Sequence, residues 1–547
     1  MHKKDLNYSF SQAPNISIPR SVFNRSHNHI TAFDSGYLVP VYVDEVLPGD
    51  TFKLKLNSFS RLATPVVPVM DNIYMDFHFF FVPNRLLWEH WEEMNGQRDK
   101  PNSSTDYLTP IFNSGDKGVP VGSLFDYMGV PPKVPHIEFN ALFARAYNKI
   151  WNDHYRDENL QDPILEDISD KDYILDEHNI NNYSLLRRNK KRDYFTSALP
   201  WPQKGNSAVI NPIGNVQLTN GSVSLQNPMS NLKARDGRII STPIRYDFTK
   251  YPDDGSGVFP LGSFLSHEDF KSVDGRVPLD SLTAENLTIN GKLNSTPISI
   301  NELRQAFQMQ RLFERDARGG TRYNEVIKTH FGVDVPDYRL QRSEYLGGGI
   351  SAINMQQVPQ TSSTDKASPQ GNVAAYATQS ANNIGFTRSF DEHGVLLCLA
   401  SVRVDQKYQY GLPRMYSRRT RFDYYLPTLA HLGEQAILNK EIYASGNKDI
   451  DEKVFGYQER FSEYRYNPNR VSGKLRSVAD QPLDFWHLAQ KFDKVPMLNS
   501  EFVQSQPPLK RSLAVQNEPE VVSDLYFMIE CTRPMPVYSI PGGIDRF

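Results

Sequence analysis

Five cations fall within six residues at Arg187-Arg188-Asn189-Lys190-Lys191-Arg192, and two rings follow at Tyr194 and Phe195. Cations at that density are hard to bury and readily neutralise phosphate. Flat rings beside them suit unstacked bases. The chemistry this pattern supports is binding of single-stranded nucleic acid; the alternative is a solvated loop ahead of a buried strand. A second run interleaves the same residue types, with Arg414, Arg418, Arg419 and Arg421 among Tyr416, Phe422, Tyr424 and Tyr425. A third passes from Arg311 through Arg315 and Arg318 to Arg322 and Tyr323. Arginine's fork donates bidentately and its plane stacks on rings, which serves phosphate and polar subunit contacts alike. The candidate nucleic-acid residues are therefore Arg187, Arg188, Lys190, Lys191, Arg192, Tyr194 and Phe195 in the first run, and Arg414, Arg418, Arg419 and Arg421 in the second.

Signatures of catalysis are weak. Gly347-Gly348-Gly349-Ile350-Ser351-Ala352 loosely matches a dinucleotide fingerprint, but the residues after it do not read as a helix, so the context fails. There is no nucleophile elbow, no phosphate-loop lysine and no histidine pair at metal spacing. Cys398 and Cys531 give neither a disulfide framework nor a metal motif, and each is expected to be a small buried apolar residue. No cofactor is expected, and no metal-ligating residues are identified. His78 stands alone among aromatics and is expected to be a satisfied core residue. Carboxylates such as Asp423 and Glu434 are not brought together by anything in the sequence. Trp88, Trp91, Trp201 and Trp486 would suit a sugar groove, so a β-sandwich polysaccharide-active enzyme is one rival reading. A monomeric single-strand-binding protein is another.

The 547 residues exceed one small domain. Charges nearly balance, 60 basic against 63 acidic, so only local clustering bears on a nucleic-acid partner. Aromatics make up 12% and there are 37 prolines, a mixture that suits β-structure joined by long ordered loops. The polar N-terminus lacks a signal-peptide core, and no segment is apolar enough to span a bilayer. The chain is expected to be made in the cytoplasm, without membrane insertion, and to leave only by lysis.

Periodicity predicts the elements that must position these residues. Val39, Val41 and Val43 alternate in one strand, and Phe52, Leu54 and Leu56 alternate with Lys53 and Lys55 in the next; Leu47-Pro48-Gly49-Asp50 is the turn between them. Ile73, Met75, Phe77, Phe79 and Phe81 line one face of a third strand, opposite Tyr74, Asp76, His78 and Phe80. Further strands are predicted at Val395 to Val404 and Asp524 to Cys531, so very long connections separate the first and last. Helical spacing within Glu138 to Arg156 predicts one helix laid against a sheet; Ile300 to Arg315 predicts another, with Leu303, Ala306, Phe307 and Phe313 as core contacts. Residues 206–299 are rich in Asn, Ser, Thr, Gly and Pro, with a hairpin expected at Asn220-Gly221, and read as a folded surface excursion. The tail carries Pro534, Pro536 and Pro541, an extended composition suited to lying across a neighbour, with Arg533, Pro534, Met535, Pro536 and Tyr538 as candidate interface residues.

Several blocks then bear a resemblance. They include Gly36-Tyr37-Leu38-Val39-Pro40, Phe79-Phe80-Phe81-Val82-Pro83-Asn84-Arg85, Arg145-Ala146-Tyr147-Asn148-Lys149-Ile150-Trp151-Asn152 and the run Asp193 to Lys204. Glu314-Arg315-Asp316-Ala317-Arg318-Gly319-Gly320-Thr321-Arg322-Tyr323, Gly456-Tyr457-Gln458-Glu459-Arg460 and Pro541-Gly542-Gly543-Ile544-Asp545 follow in order. Together they resemble the major capsid proteins of gokushovirus-type microviruses, small single-stranded DNA phages. The match fades across 206–299. The resemblance implies a mainly β fold, a viral jelly-roll β-sandwich with very long loops containing several helices. It divides the chain into 1–205 and 300–547, which build the jelly-roll, and 206–299, a protrusion at the threefold axes that meets a host surface receptor. It implies on the order of sixty copies in a T=1 icosahedral shell around circular single-stranded DNA, assembled in the bacterial cytoplasm. An internal scaffolding protein, a small basic DNA-packaging protein and a pilot protein are the further partners it implies.

Overall fold

The computed structural model describes residues 19–97, 100, 102–175, 180–204, 223–225, 245–246, 287–288, 300–318, 329, 341–361, 370–371 and 373–538. Two compact units divide the chain: Met1–Lys204 with Glu314–Phe547, and Gly205–Phe313.

Nine antiparallel strands organise the first unit: β1 (Ser21–Asn24), β2 (His27–Phe33), β3 (Val39–Val46), β4 (Thr51–Leu62), β5 (Ile73–Pro83), β6 (Glu344–Pro359), β7 (Val373–Ser389), β8 (Gly394–Val404) and β9 (Val521–Arg533). Their spatial order is β1-β9-β4-β7-β6-β5-β8-β3, with β2 also paired to β9. The long hairpin β6–β7 turns the corner of the sandwich. Glu344 to Ile353 pair with β5, Asn354 to Pro359 pair with β7, and the rest of β7 pairs with β4. One sheet is thus β3-β8-β5-β6, and the other is built on β7, β4 and β9. The mainly β sandwich with long loops expected from the sequence is the fold observed.

The core lies between the sheets. Phe52, Leu54 and Leu56 of β4, Ile73 to Phe81 at alternate positions of β5, and Leu525, Phe527 and Ile529 of β9 meet there, and Lys53 and Lys55 point to solvent. Each such burial removes apolar surface worth roughly 1.5–3 kcal/mol. Cys398 and Cys531 are free thiols in the same core. The turn forms as predicted: Asp50 donates its N–H to the Leu47 carbonyl at 3.0 Å, and Gly49 takes a φ of 87°, which its lack of a Cβ permits. Val43 departs from the expected face. Cys398 opposes Tyr42 while Leu399 opposes Pro40, so Val41 is an extra residue in β3. That bulge turns Val43 out of the sandwich core towards a second apolar cluster.

This second cluster covers the outer face of β5 and β8. Phe80, Val395, Leu397 and Leu399 pack there against Trp88, Phe112, Phe125 and the helix α1 (Leu142–Ile150). A strand buried on both faces reads as a continuous apolar run, as β8 does. Tyr147 of α1 donates to the Leu38 carbonyl at 2.8 Å and ties the helix to the sheet. The helix expected from Glu138 begins four residues later. Glu138–Asn140 pairs instead with Ile111–Asn113, Phe139 packs on Phe112 and Phe125, and Asn140 Oδ1 accepts the Leu142 N–H at 2.8 Å. The second predicted helix is α2 (Ile300–Arg318), but Phe307, expected in the core, is exposed. Arg304, Arg311, Glu314, Arg315 and Asp316 occupy much of its surface and leave a narrow apolar stripe.

Gly347, Gly348 and Gly349 lie within β6 rather than in a phosphate loop. A Cβ at Gly348 would sit 2.3 Å from the Phe77 carbonyl oxygen, so this glycine permits the close approach of β5. Residues 206–299 fall almost wholly outside the described residues, as does the expected hairpin at Asn220-Gly221. Within them Val223–Leu225 pairs with both Arg245–Tyr246 and Leu287–Thr288.

Candidate functional site

The first basic run is extended and held by backbone on both sides. Arg188 donates its N–H to the Gly36 carbonyl at 3.0 Å, its own carbonyl accepts from Ser505, and Lys190 donates to the Val503 carbonyl at 2.8 Å. An extended segment alternates its side chains, so the five cations do not share one surface. Arg188 Nη1 reaches Asp76 Oδ2 and Ser401 Oγ, each at 2.6 Å, and Arg403 meets the same Asp76 oxygen at 2.9 Å. Arg187 stacks 4.1 Å over the Tyr37 ring and donates to its hydroxyl at 2.9 Å. Lys190 is buried. Its Nζ donates to the Phe502 carbonyl at 2.5 Å and to Gln490 at 2.8 Å, and burial pulls its pKa down to about 8.

The rings that follow are equally committed. Asp193 accepts the N–H groups of Phe195 and Thr196 at 3.0 and 2.9 Å, and the Tyr408 hydroxyl at 2.7 Å, fixing a tight turn. Tyr194 and Phe195 are thereby sunk into a third apolar cluster with Tyr408, Ile437 and Phe455, where the Tyr194 hydroxyl donates to Glu441. The expectation of a surface run is corrected for Arg188, Lys190, Tyr194 and Phe195: buried carboxylate, carbonyl and aromatic partners take them inside the subunit. Lys191 and Arg192 are exposed and make no ion pair among the described residues.

Asp76 was the missed partner. A lone carboxylate in an otherwise apolar strand requires buried cations, and that demand was readable in the sequence even though their identities were not. Its neighbour His78 is ringed by Phe80, Tyr155 and Tyr345 and is hydrogen-bonded through Nδ1 to the Tyr155 hydroxyl at 2.7 Å. Burial, assisted by the Arg188 charge, lowers its pKa to about 4, so it is the neutral core residue expected.

The second run divides in the same way. Arg414 pairs with Glu441 at 2.9 Å and donates to the Ala436 carbonyl, while Arg418 pairs with Glu463 at 3.1 Å and lies 4.3 Å over Tyr464. Arg419 and Arg421 are exposed without an ion pair among the described residues. Asp423 accepts the N–H groups of Arg419 and Thr420, which hold its pKa down. In the third run Arg318 pairs with Glu434 at 2.5 Å, whereas Arg322 and Tyr323 lie outside the described residues. Asp423 and Glu434 therefore serve different partners. Trp88 is buried, with its indole N–H on Asp170 at 2.5 Å.

In the tail, Arg533 ion-pairs with Asp50 at 3.1 Å and donates to the Glu45 carbonyl at 2.7 Å. Pro534 is half-buried beside the turn, and Met535, Pro536 and Tyr538 are exposed. Among the described residues no group of His, Cys, Asp and Glu side chains is placed to hold a metal, and no helix is long and apolar enough to cross a membrane.

Comparison with known proteins fits this framework. The model of a family described as capsid protein (F protein) matches residues 11–543. Capsid protein VP1 of Bdellovibrio phage phiMH2K is 43% identical, over 99% of this chain and 98% of its own length. The VP1 proteins of Chlamydia phage 1 and Spiroplasma virus 4 are 42% and 36% identical over at least 97% of either chain.

Proposed function

Because the chain belongs to the capsid protein (F protein) family, in its gokushovirus-type microvirus branch, we propose that on the order of sixty copies close into a T=1 icosahedral shell around circular single-stranded DNA. The observation that carries this is a similarity running from one end of the chain to the other on a β-sandwich scaffold. Its mechanism is assembly, not turnover, and its place is the virion. Long loops on a rigid sandwich are where recognition residues gather, and residues 206–299 supply the contact to a host surface receptor. An internal scaffolding protein, a small basic DNA-packaging protein and a pilot protein act with it.

Within the first run, Lys191 and Arg192 contact the genome. They are the exposed cations there, and Arg187, Arg188 and Lys190 hold the loop that presents them. Neutralising either cation should make the salt dependence of DNA binding shallower by about one ion. Nuclease treatment of purified particles tests the whole reading. Protected single-stranded DNA supports it; particles that protect none, or protein that never forms particles, overturn it.

A further inference from the structure

An aromatic face on the first unit has no partner among the described residues. Tyr416, Phe422, Tyr424, Tyr425, Tyr464 and Tyr466 each expose about half of their surface or more. Phe422, Tyr424, Tyr425 and Tyr464 are contiguous. Arg418 lies under both Tyr424 and Tyr464, the Tyr425 N–H meets the Tyr464 hydroxyl, and Arg460 donates to the Phe422 carbonyl. Beside them Met415, Tyr464, Tyr466 and Arg470 border a cavity of about 380 Å³, and Tyr416 follows Met415 on its rim. Patches this apolar are seldom left in water, and Tyr, Phe, Met and Arg are the residue types enriched in protein interfaces.

The charges separate a protein partner from nucleic acid. Arg414, Arg418 and Arg465 are neutralised within the subunit by Glu441, Glu463 and Glu459. Arg419, Arg421, Arg460 and Arg470 make no ion pair among the described residues. Arg460 is turned onto the Phe422 carbonyl and the Phe461 ring. The three exposed ones at the margin are too few for a surface that tracks a phosphate backbone but suited to a rim that reads an acidic partner. The same chain carries such a partner. Between Asp157 and Asp172 it has seven carboxylates and one lysine. Glu166, Asp167 and Asp170 pair within the subunit with Lys149, Arg145 and His90, and Asp162 and Asp172 are exposed without an ion pair among the described residues. Leu165 and Ile168 on that ridge are 42% and 46% exposed, of a size to enter the cavity.

We propose that the aromatic face is a contact surface for a second copy of this chain, and that it receives that copy's acidic ridge. The inference rests on the reading of the chain as a self-assembling shell protein and names one of its contacts. Tyr416→Ala with Tyr424→Ala, and separately Arg419→Glu with Arg421→Glu, are compared with the unaltered full chain by sedimentation and circular dichroism. We expect folded subunits whose particle yield falls at least tenfold. Adding Asp162→Lys to the charge-reversed variant should restore particles, since Asp162 is exposed on the ridge. Normal particle yield from the first two variants overturns the surface. Shells that form but lose their DNA assign it to nucleic acid instead. Failure of Asp162→Lys to restore yield overturns the ridge as its occupant. If the unaltered chain does not assemble, the capsid reading fails before this one is reached.

Discussion

Arg188 Nη1 lies 2.6 Å from Asp76 Oδ2, joining the most basic stretch of the chain to the middle of β5. Asp76 is all but inaccessible and accepts Arg403 as well. Burying one carboxylate between two guanidiniums is tolerable only while the pairing holds.

Arg188→Met should therefore destabilise the subunit by about 2–4 kcal/mol, below the full cost of an orphaned charge because Arg403 remains. Lys191→Ala and Arg192→Ala, at exposed positions, should change stability by no more than about 0.5 kcal/mol. Denaturant unfolding of dissociated subunits checks both. Equal effects at all three positions would remove the distinction between holding and presenting residues.

His78 predicts a pH dependence. Its pKa is held at about 4 in the fold against about 6.5 in an unfolded chain. The unfolded chain therefore gains a proton first as pH falls, and stability present above pH 6.5 is lost progressively down to about pH 4. His78→Gln should flatten this part of the stability profile relative to the unaltered protein. An unchanged slope between pH 6.5 and 4 would assign the acid sensitivity to other groups.

Gly348→Ala should destabilise by about 1–3 kcal/mol, since the added carbon would meet the Phe77 carbonyl oxygen at 2.3 Å and strain the pairing of β5 with β6. Gly371→Ala, where nothing lies within 4 Å, is the control for steric clash; its φ of 86° should leave a smaller backbone cost. A Gly348 variant as stable as the parent would contradict the close approach.

Much of this was legible in the sequence, and the exceptions share a cause. Alternation showed β4 and β5 and which faces they bury, and the turn at Gly49 followed from its residue types. Three things depended on chain neighbours far away in sequence. The bulge that rotates Val43 is set by pairing with Cys398 and Leu399. The strand at Glu138 is set by Ile111–Asn113. The fate of Arg188 and Lys190 is set by Asp76 and Phe502. Local composition identifies a cluster of cations but not the carboxylates that the fold brings to them. In the second run the sequence marked rings and arginines together; that the rings stay exposed while Arg414 and Arg418 pair within the subunit is again a property of the whole chain.

Truncation after Arg533 should leave a folded subunit, because Arg533 still closes on Asp50, but should prevent particle formation by removing the exposed Met535, Pro536 and Tyr538. Circular dichroism and electron microscopy of the shortened chain check this. Normal particles would free the tail of any role between subunits.

Replacing residues 206–299 with a short Gly/Ser bridge should still permit shells but abolish attachment to host cells. Particle counts and cell-binding assays separate the two effects. Full infectivity after the deletion would contradict the assignment of this segment to host contact.

The central claim is that this chain exists to close on copies of itself. Sedimentation of the purified, full-length protein measures that directly. A closed shell sediments as a single megadalton species, and the capsid reading predicts that species; a stable monomer of 62.6 kDa under assembly conditions would contradict it.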